Sequence, residues 1–396
     1  MSLVINTNVS SLNAQNNLTK SQSALATATQ RLSSGLKLNS AADNAAGFAI
    51  AQRYTTQIGG LSQASANASD AINLAQTAGS ALDQVTANLQ AIRDLAVQSA
   101  NGTYTASDRS SIDQEVQQRL AEITRIANQT TFNGSKVLDG SLGTKSFQVG
   151  ADVGQTISVN LQTSVKASAM GSIAQVETGN LSGAFVDASG NATTMDLSKI
   201  SIKGTDGTSV TLSGTASNVQ DLADAINAAG VTGVSAAVDG KGGVSLFANG
   251  SFQVTDSGAA SSGAVSSGAI NSSAYVNGAT TTSNASGSIT VSGSLQTGNV
   301  QTVNSSNALI TQVDAALKTV ADFAAQLGAV QNRFQSTIAT VAAQSTNLKA
   351  SQSTIQDADF ASETAALSKA QVLQQAGISV LAQANSNPQL ALKLLQ

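Results

Sequence analysis

The sequence predicts a mainly α-helical protein with an inserted α+β, β-rich domain, in which both chain ends join one long antiparallel coiled-coil bundle. Three observations carry that expectation. Apolar residues recur in alternating steps of four and three through both terminal thirds, the period of a helix packed along its whole length. A single proline, Pro388, is present to interrupt a helix. Between about Val165 and Gln301 the composition shifts to Gly, Ser, Thr, Ala and Val, and the long period is lost.

The first expected helix carries Leu18, Leu25 and Leu32 at intervals of seven and stops at Gly35, where glycine can take the left-handed conformation that ends a helix. The second runs from about Asp43 to Ser99. Its seam reads Ile50, Tyr54, Gln57, Leu61, Ala64, Ala68, Ala71, Ala75, Ala78, Leu82, Val85, Leu89, Ile92 and Ala96, with only Gln57 polar. At about 1.5 Å per residue such a helix is a rod of roughly 80 Å. A shorter helix is expected from Ser107, as cap, to Ala127, with Ile112, Val116, Leu120 and Ile123 on one face, followed by a β-hairpin region near 130–160.

In the middle, "KISIKGTDGTSVTLSG" reads as two strands turned at Asp206-Gly207. "SNVQDLADAINAAG" reads as a helix with Ser217 and Gln220 at capping-box spacing and Gly230 as its stop. "VSAAVDGKGGVSLFA" returns to strands. Residues 256–300 are poor in large apolar groups and fit a loosely packed β lobe or a solvated loop whose hydroxyls offer sites for sugars.

The C-terminal third restores the seam with Ile310, Val313, Leu317, Val320, Ala324, Leu327, Gln331, Phe334, Ile338, Val341, Ser345, Leu348, Gln352 and Ile355. A last amphipathic piece holds Leu367, Leu373, Val380 and Leu381 and closes on "PQLALKLLQ", with Leu390 and Leu394. Terminal residues that apolar need cover. An antiparallel pair folded back on the bundle, a helix lying on a membrane surface, and burial against neighbouring copies all supply it. Few Lys or Arg flank these stripes, which disfavours the membrane, and head-to-tail repetition of a self-association gives a filament.

Chemistry is limited by what is missing. With no Cys and no His, thiol redox, imidazole acid–base work, His/Cys zinc sites and Ser-His-Asp systems are out. No paired carboxylates stand at a suggestive spacing and no Gly-Lys-Ser/Thr phosphate loop occurs. The expectation is a protein that is not an enzyme and takes no cofactor or metal. A net charge of −4 without a basic cluster argues against nucleic acid, and no stretch is long and apolar enough for membrane insertion. The N-terminus shows no cleavable secretory signal, so these signals alone point to the cytoplasm.

The stretches "RLSSGLKLNSAADNAAGFAIAQRYTTQIGGLSQASANASDAINLAQTAGSALDQV", "LQAIRDLAVQSANGT" and "QTTFNGSKVLDG", then "QNRFQSTIATV" and "IQDADFASETAALSKAQVLQQAGISVLAQAN", resemble bacterial flagellin in the same order. "NVQDLADAINAAGV" looks like a small repeat of some flagellin inserts. The resemblance covers about 1–160 and 304–396. It implies a subunit of the flagellar filament, exported unfolded and built into a helical homopolymer outside the cell, which replaces the cytoplasmic expectation. It also implies residues 1–38 and 358–396 as the inner core, 39–164 and 303–357 as the long bundle, and 165–302 as a variable insert facing solvent.

Polymerisation then falls to Leu12, Leu18, Leu25, Leu32, Leu367, Leu373, Val380, Leu381, Leu390 and Leu394. Implied partners are further copies, a flagellar export chaperone, and the cap and hook-junction proteins. Some flagellins are also ligands of Toll-like receptor 5; Gln90, Leu95, Glu115 and Arg119 match that surface, although bundle packing explains Leu95 and Glu115 equally well. Ala91 stands where strongly recognised members carry arginine. A hook–filament junction protein and an adhesin-like role for residues 166–302 are the alternatives. The zinc-protease inserts of certain flagellins need a His-Glu-x-x-His motif that a chain without histidine cannot supply.

Overall fold

The computed structural model describes residues 8–178, 180, 181, 185, 192–256, 286–289, 291 and 293–394, the side chains at 256, 286–289 and 387–394 excepted. Two compact units are formed: Met1–Ala68 with Gln148–Thr156 and Gln335–Gln396, and Ser69–Phe147 with Ile157–Phe334. This division runs inside two long helices, whereas the boundaries expected at 38/39 and 357/358 fall at the linkers between helices.

In the first unit, α1 (Val9–Ser34) packs against α6 (Phe360–Leu394). They are antiparallel, because Asn8 Nδ2 donates to Ala384 O at 2.9 Å while Arg31 meets Glu363 at 3.7 Å. Asn8 also caps α1 by accepting from Ser11 N, and Gly35 ends it at φ 73° with its N–H on Arg31 O, as the sequence requires. The same unit holds the first part of α2 (Ala45–Ala100) and the last part of α5 (Val303–Gln356). There Ala51, Leu61, Ala64, Ala68 and Val341 are buried, while Ile50, Tyr54, Ile338, Leu348 and Ile355 are half-buried. Gln352, a polar seam position, donates to Thr55 Oγ1 at 2.8 Å. Gly60 is needed where the 148–156 loop meets α2, since a Cβ there would lie 3.1 Å from Ala151 Cβ.

The second unit buries the rest of the α2 seam, whereas on α5 the expected Ile310 and Leu317 are half-buried and Ala324 is exposed, because the buried stripe there passes through Leu309, Ala316 and Phe323 instead. Leu82, Val85, Leu89, Ile92 and Ala96 of α2, Val116, Ile123 and Ala127 of α3 (Ala106–Gln129), and Leu309, Val313, Ala316 and Val320 of α5 are all essentially sealed from water. An Arg93–Asp314 ion pair at 2.7 Å ties α2 to α5. Phe147 and Phe334 meet edge to face at 5.7 Å. Ser107 does not cap α3. Thr105 does, in a reciprocal capping box with Asp108; the short Asp carboxylate three residues on reaches back to Thr105 N at 3.0 Å, and Ser107 lies inside the first turn.

Two side chains that pattern reading passes over hold this unit together. Arg109 and Asp113 are buried on α3. Arg109 donates to the backbone carbonyls of Ser99 and Asn101, satisfying acceptors that the end of α2 leaves open. Asp113 accepts from Val300 N at 3.0 Å and from Gln301 Nε2 at 3.1 Å, fixing the chain where it returns from the insert.

After α3 come two hairpins. β1 (Thr131–Phe132) pairs β2 (Ser135–Lys136) through Asn133-Gly134, both at positive φ, as a two-residue turn demands. β3 (Gly143–Gln148) pairs β4 (Thr156–Leu161). The insert is an α+β lobe. β5 (Ala174–Glu177) lies beside β11 (Val244–Ala248), which pairs β10 (Val234–Val238). A four-stranded sheet runs β13 (Ser286–Ile289), β12 (Phe252–Asp256), β7 (Ile200–Lys203), β8 (Ser209–Thr211), and β6 (Met195–Asp196) pairs β9 (Thr215–Ala216). The expected hairpin is present, with Lys203 opposite Ser209 and Gly207 at φ 84°.

α4 (Val219–Ala228) drives Leu222, Ala223 and Ile226 into the core of this lobe. Its cap is Asn218 and not Ser217: the Asn218 side chain accepts from Asp221 N, and Asp221 returns to Ser217 N, leaving Gln220 to bond Asp224. Phe247, Ile173 and Ala308 pack as one cluster and seat the lobe on the first turns of α5. Of the stretch 256–300, only 256, 286–289, 291 and 293–300 are among the described residues, and the sugar-accepting hydroxyls expected elsewhere in it lie outside them.

Asp113→Ala strips the acceptor from a buried Val300 N–H. We expect it to destabilise the second unit by about 1–3 kcal/mol in urea unfolding, against no measurable change for the exposed neighbour Gln114→Ala. Asp108 is held below its ordinary value of 3.8, first by the hydrogen bond from the Thr105 side chain and then by that from its backbone. A depressed carboxylate contributes stability that is complete above its unfolded pKa and is lost as pH falls through the folded one. Asp108→Asn is therefore expected to make stability less steeply dependent on pH below 3.8, measured by unfolding at stepped acidic pH.

Candidate assembly surface

The α1/α6 pair is built on one narrow seam. On α1 the residues withdrawn from solvent are Ser11, Ala14, Leu18, Ser21, Leu25, Ala28 and Leu32; on α6 they are Glu363, Leu367, Ala370, Gln374, Gly377, Leu381 and Ala384. Both sets step by three and four, so each helix shows one stripe to the other. Small residues let the backbones approach: a Cβ on Gly377 would touch Leu18 Cδ1 at 3.4 Å. At the open end Ser11 Oγ donates to Asn385 Oδ1 at 2.8 Å.

Of the residues expected to drive assembly, the structure brings Leu18, Leu25, Leu32, Leu367 and Leu381 onto this intrachain seam, where each is only half-buried. Leu12, Leu373 and Val380 point outward, 57%, 48% and 58% exposed. The side chains of Leu390 and Leu394 lie outside the described residues. Sequence reading missed Val9, Phe360, Val372 and Ile378, which are 61%, 68%, 64% and 54% exposed.

These outward residues do not form one stripe. Each residue turns an α-helix by about 100°, so Phe360 and Ile378 project one way, Leu373 and Val380 another, and Val372 away from the seam. Apolar groups that project in several directions are more than one partner helix covers, and exposed apolar groups on this scale mark an interaction surface. The signal in the sequence was a pair of apolar residues off the leucine spacing, Val372 and Ile378, on either side of the polar Gln375 and Ser379 around the helix; following leucines alone concealed it.

A second, polar surface lies on the second unit. Gln90 and Glu115 are exposed and Leu95 and Arg119 half-buried. Arg119 pairs with Glu115 at 2.7 Å in a shallow groove lined also by Asn88, Ser111, Gln114, Gln118 and Glu122. Glu122 is held below the usual carboxylate range chiefly by its hydrogen bond from Arg125. Ala91 is half-buried on α2, three residues after Asn88, and is not among the residues that line this groove. Among the described residues no three His, Cys, Asp or Glu gather as a metal site, and no helix is long and apolar enough to cross a membrane.

Comparison with known proteins places this architecture. The family model for the bacterial flagellin N-terminal helical region matches residues 5–142, that for the C-terminal helical region matches 310–395, and the flagellin hook IN motif matches 199–250, within the α+β lobe. B-type flagellin of Pseudomonas aeruginosa is 37% identical over 492 aligned residues, flagellin D of Vibrio anguillarum 40% over 402 and flagellin of Salmonella typhimurium 36% over 497; each alignment covers 100% of both chains. The solved structure of FliC from Burkholderia pseudomallei is 28% identical, covering 66% of this chain and 99% of that one with a TM-score of 0.39. Helical regions matched at both ends, an insert motif matched between them and relatives alike along their full length make this chain a member of the bacterial flagellin family.

Proposed function

We propose that the unpartnered apolar faces of the α1/α6 pair drive polymerisation of this flagellin into the helical filament of the bacterial flagellum, the structure used for motility. The observation that carries the reading is the exposure of Phe360, Val372, Leu373, Ile378 and Val380 around α6. A single chain supplies one partner helix and covers one stripe. Neighbouring copies supply the rest. Burying one such side chain fully is worth about 1.5–3 kcal/mol, enough in sum to offset the ordering of two terminal helices. A surface that meets a different surface on the next copy repeats head to tail, and where the rotation does not close into a ring it gives a helical filament.

The role is mechanical. The terminal segments 1–38 and 358–396 are assigned to the inner core, 39–164 and 303–357 to the surrounding bundle, and 165–302 to the solvent-facing insert. The same apolar faces need cover before assembly, which supports a flagellar export chaperone as an earlier partner, with the cap and hook-junction proteins as later ones, and a secreted, extracellular site of work. The groove around Glu115 and Arg119, with Gln90 and Leu95, is assigned as the contact for Toll-like receptor 5, short of one cation because of Ala91.

Leu373→Ala combined with Val380→Ala is expected to slow seeded filament elongation by about tenfold or more, the equivalent of roughly 1.4 kcal/mol, while thermal unfolding of the α2/α3/α5 core stays unchanged. Equal losses in both would reject the assignment. Ala91→Arg is expected to raise affinity for the receptor ectodomain in a surface-binding assay, and Glu115→Ala with Arg119→Ala to lower it; indifference to both would exclude that surface.

A further inference from the structure

The first turns of α5 carry two stripes of very different strength. Leu309, Val313, Ala316 and Val320 are sealed in the helical core of the second unit. Asn304, Ala308, Gln312 and Ala315, stepping by four, four and three, make the other stripe. It is this second stripe that carries the insert lobe, since Ala308 packs with Ile173 and Phe247, and Ala237 and Ala315 lie at the margin.

The lobe meets it with the outer face of the three-stranded sheet. Side chains alternate along β11, so Val244, Leu246 and Ala248 enter the core of the lobe while Ser245 and Phe247 turn to the opposite face. That core is large, with Leu197, Ile202, Leu222, Ile226 and Phe252 all buried in it. The seat is small: one ring, one isoleucine and alanines.

It is also short of hydrogen bonds. Ser245 Oγ, on a residue that is 0% exposed, finds no partner among the described residues, nor do the buried Asn304 Oδ1 and Gln312 Oε1 of α5. Ser245 stands opposite Glu177 in the ladder, and Glu177 Oε1 accepts from Asn304 Nδ2 at 2.7 Å and from Gln175 Nε2 at 3.2 Å. A buried oxygen left unpaired costs free energy that it regains on meeting water. Such costs are of the same order as the gain from burying one ring and its small partners.

The neck that joins the lobe to the helices has no such weakness. Leu295 N donates to Met170 O at 2.8 Å and Gln296 N to Ala167 O at 3.0 Å, with Met170, Leu295 and Val300 buried. Ser99 Oγ donates to Val300 O at 2.7 Å and Gln117 Nε2 to Gly298 O at 2.9 Å, beside the two contacts of Asp113. Packing there admits only glycine. A Cβ on Gly171 would lie 2.9 Å from Leu295 Cβ, and one on Gly298 2.5 Å from Leu309 Cδ1.

We propose that the seat is a release joint: the insert lobe swings off α5 as a folded body, turning about the neck, and opens Ser245, Phe247, Asn304 and Ala308 to water. Neither the lobe nor the helical core unfolds. The joint lets the lobe change its tilt against α5 while the sealed stripe through Leu309 and Val313 stays closed. It lies within one chain and rests on neither the assembly residues nor the receptor surface assigned above.

The chain has no cysteine, so one introduced thiol reports on one place. In the full chain, the rate at which a small maleimide labels Ala308→Cys reads opening of the seat. Ala223→Cys in the lobe core and Ala96→Cys in the helical core, both sealed positions, read unfolding of those two parts. Ala308→Cys is expected to label about tenfold or more faster than either control, and Ser245→Cys, which reports from the lobe side, to exceed both controls as well.

Two further changes give the sign. Ser245→Ala removes an unpaired hydroxyl and is expected to slow labelling of Ala308→Cys by about fivefold or more, whereas Phe247→Ala is expected to speed it by about tenfold or more and leave both controls unchanged. The proposal is overturned if neither seat thiol labels faster than the controls, if Ser245→Ala leaves the rate at Ala308→Cys unchanged or raises it, or if Phe247→Ala speeds Ala223→Cys as much as Ala308→Cys.

Discussion

The structure depends on the pairing of its two chain ends. α1 and α6 close on a seam so thin, with Ala14, Ala28, Ala370, Gly377 and Ala384 at its centre, that little apolar surface is hidden per turn. Small residues bring backbones close but bury little area. A pair built this way holds its two strands together and still leaves Phe360, Val372, Ile378 and their neighbours in water. Weak cover within one molecule is what makes cover by another molecule valuable.

The second unit solves the same packing problem differently. Where α2 and α5 have α3 beside them, the seam residues from Leu82 to Ala96 are sealed. Where the same two helices lie in the first unit, Ile50, Tyr54, Ile338 and Leu348 are half-buried with the same heptad pattern. The same heptad pattern is thus covered less completely at those four positions, although Leu61, Ala64 and Val341 of the first unit are buried. Polar groups do the fastening: Arg109 on the end of α2, Asp113 on the returning chain, and the Thr105–Asp108 box at the start of α3. Arg109 and the Thr105–Asp108 box satisfy backbone groups that helices leave open at their ends, and Asp113 satisfies a buried N–H of the connecting segment.

Much of this was legible beforehand. The seam of α2, the helical extent of α5, the stop at Gly35, the hairpin through Asp206-Gly207 and the small α+β insert follow from period, glycine and turn chemistry, all of which act locally, while the early α5 seam was set off by one residue at Ile310, Leu317 and Ala324. The cap of α3 was readable as well, since Thr-x-x-Asp serves as Ser-x-x-Glu does. It was misplaced by two residues because several hydroxyl and acidic side chains cluster there. At α4 the same ambiguity set Asn218 against Ser217, and the choice went to the side chain whose oxygen reaches the third amide along. The family was legible from the ordered matches at both ends.

What the sequence by itself determined is which segments are helical, where they stop and that both ends carry apolar stripes, because spacing and termination depend on the chain's own covalent order. Tertiary structure alone decided which stripe each leucine joins. Leu18 and Leu373 look alike in the sequence, yet one faces Gly377 inside the molecule and the other faces water. That difference arises from the angle at which a second helix arrives, and the arrival of α6 beside α1 is governed by contacts between residues at opposite ends of the chain, which no local pattern records.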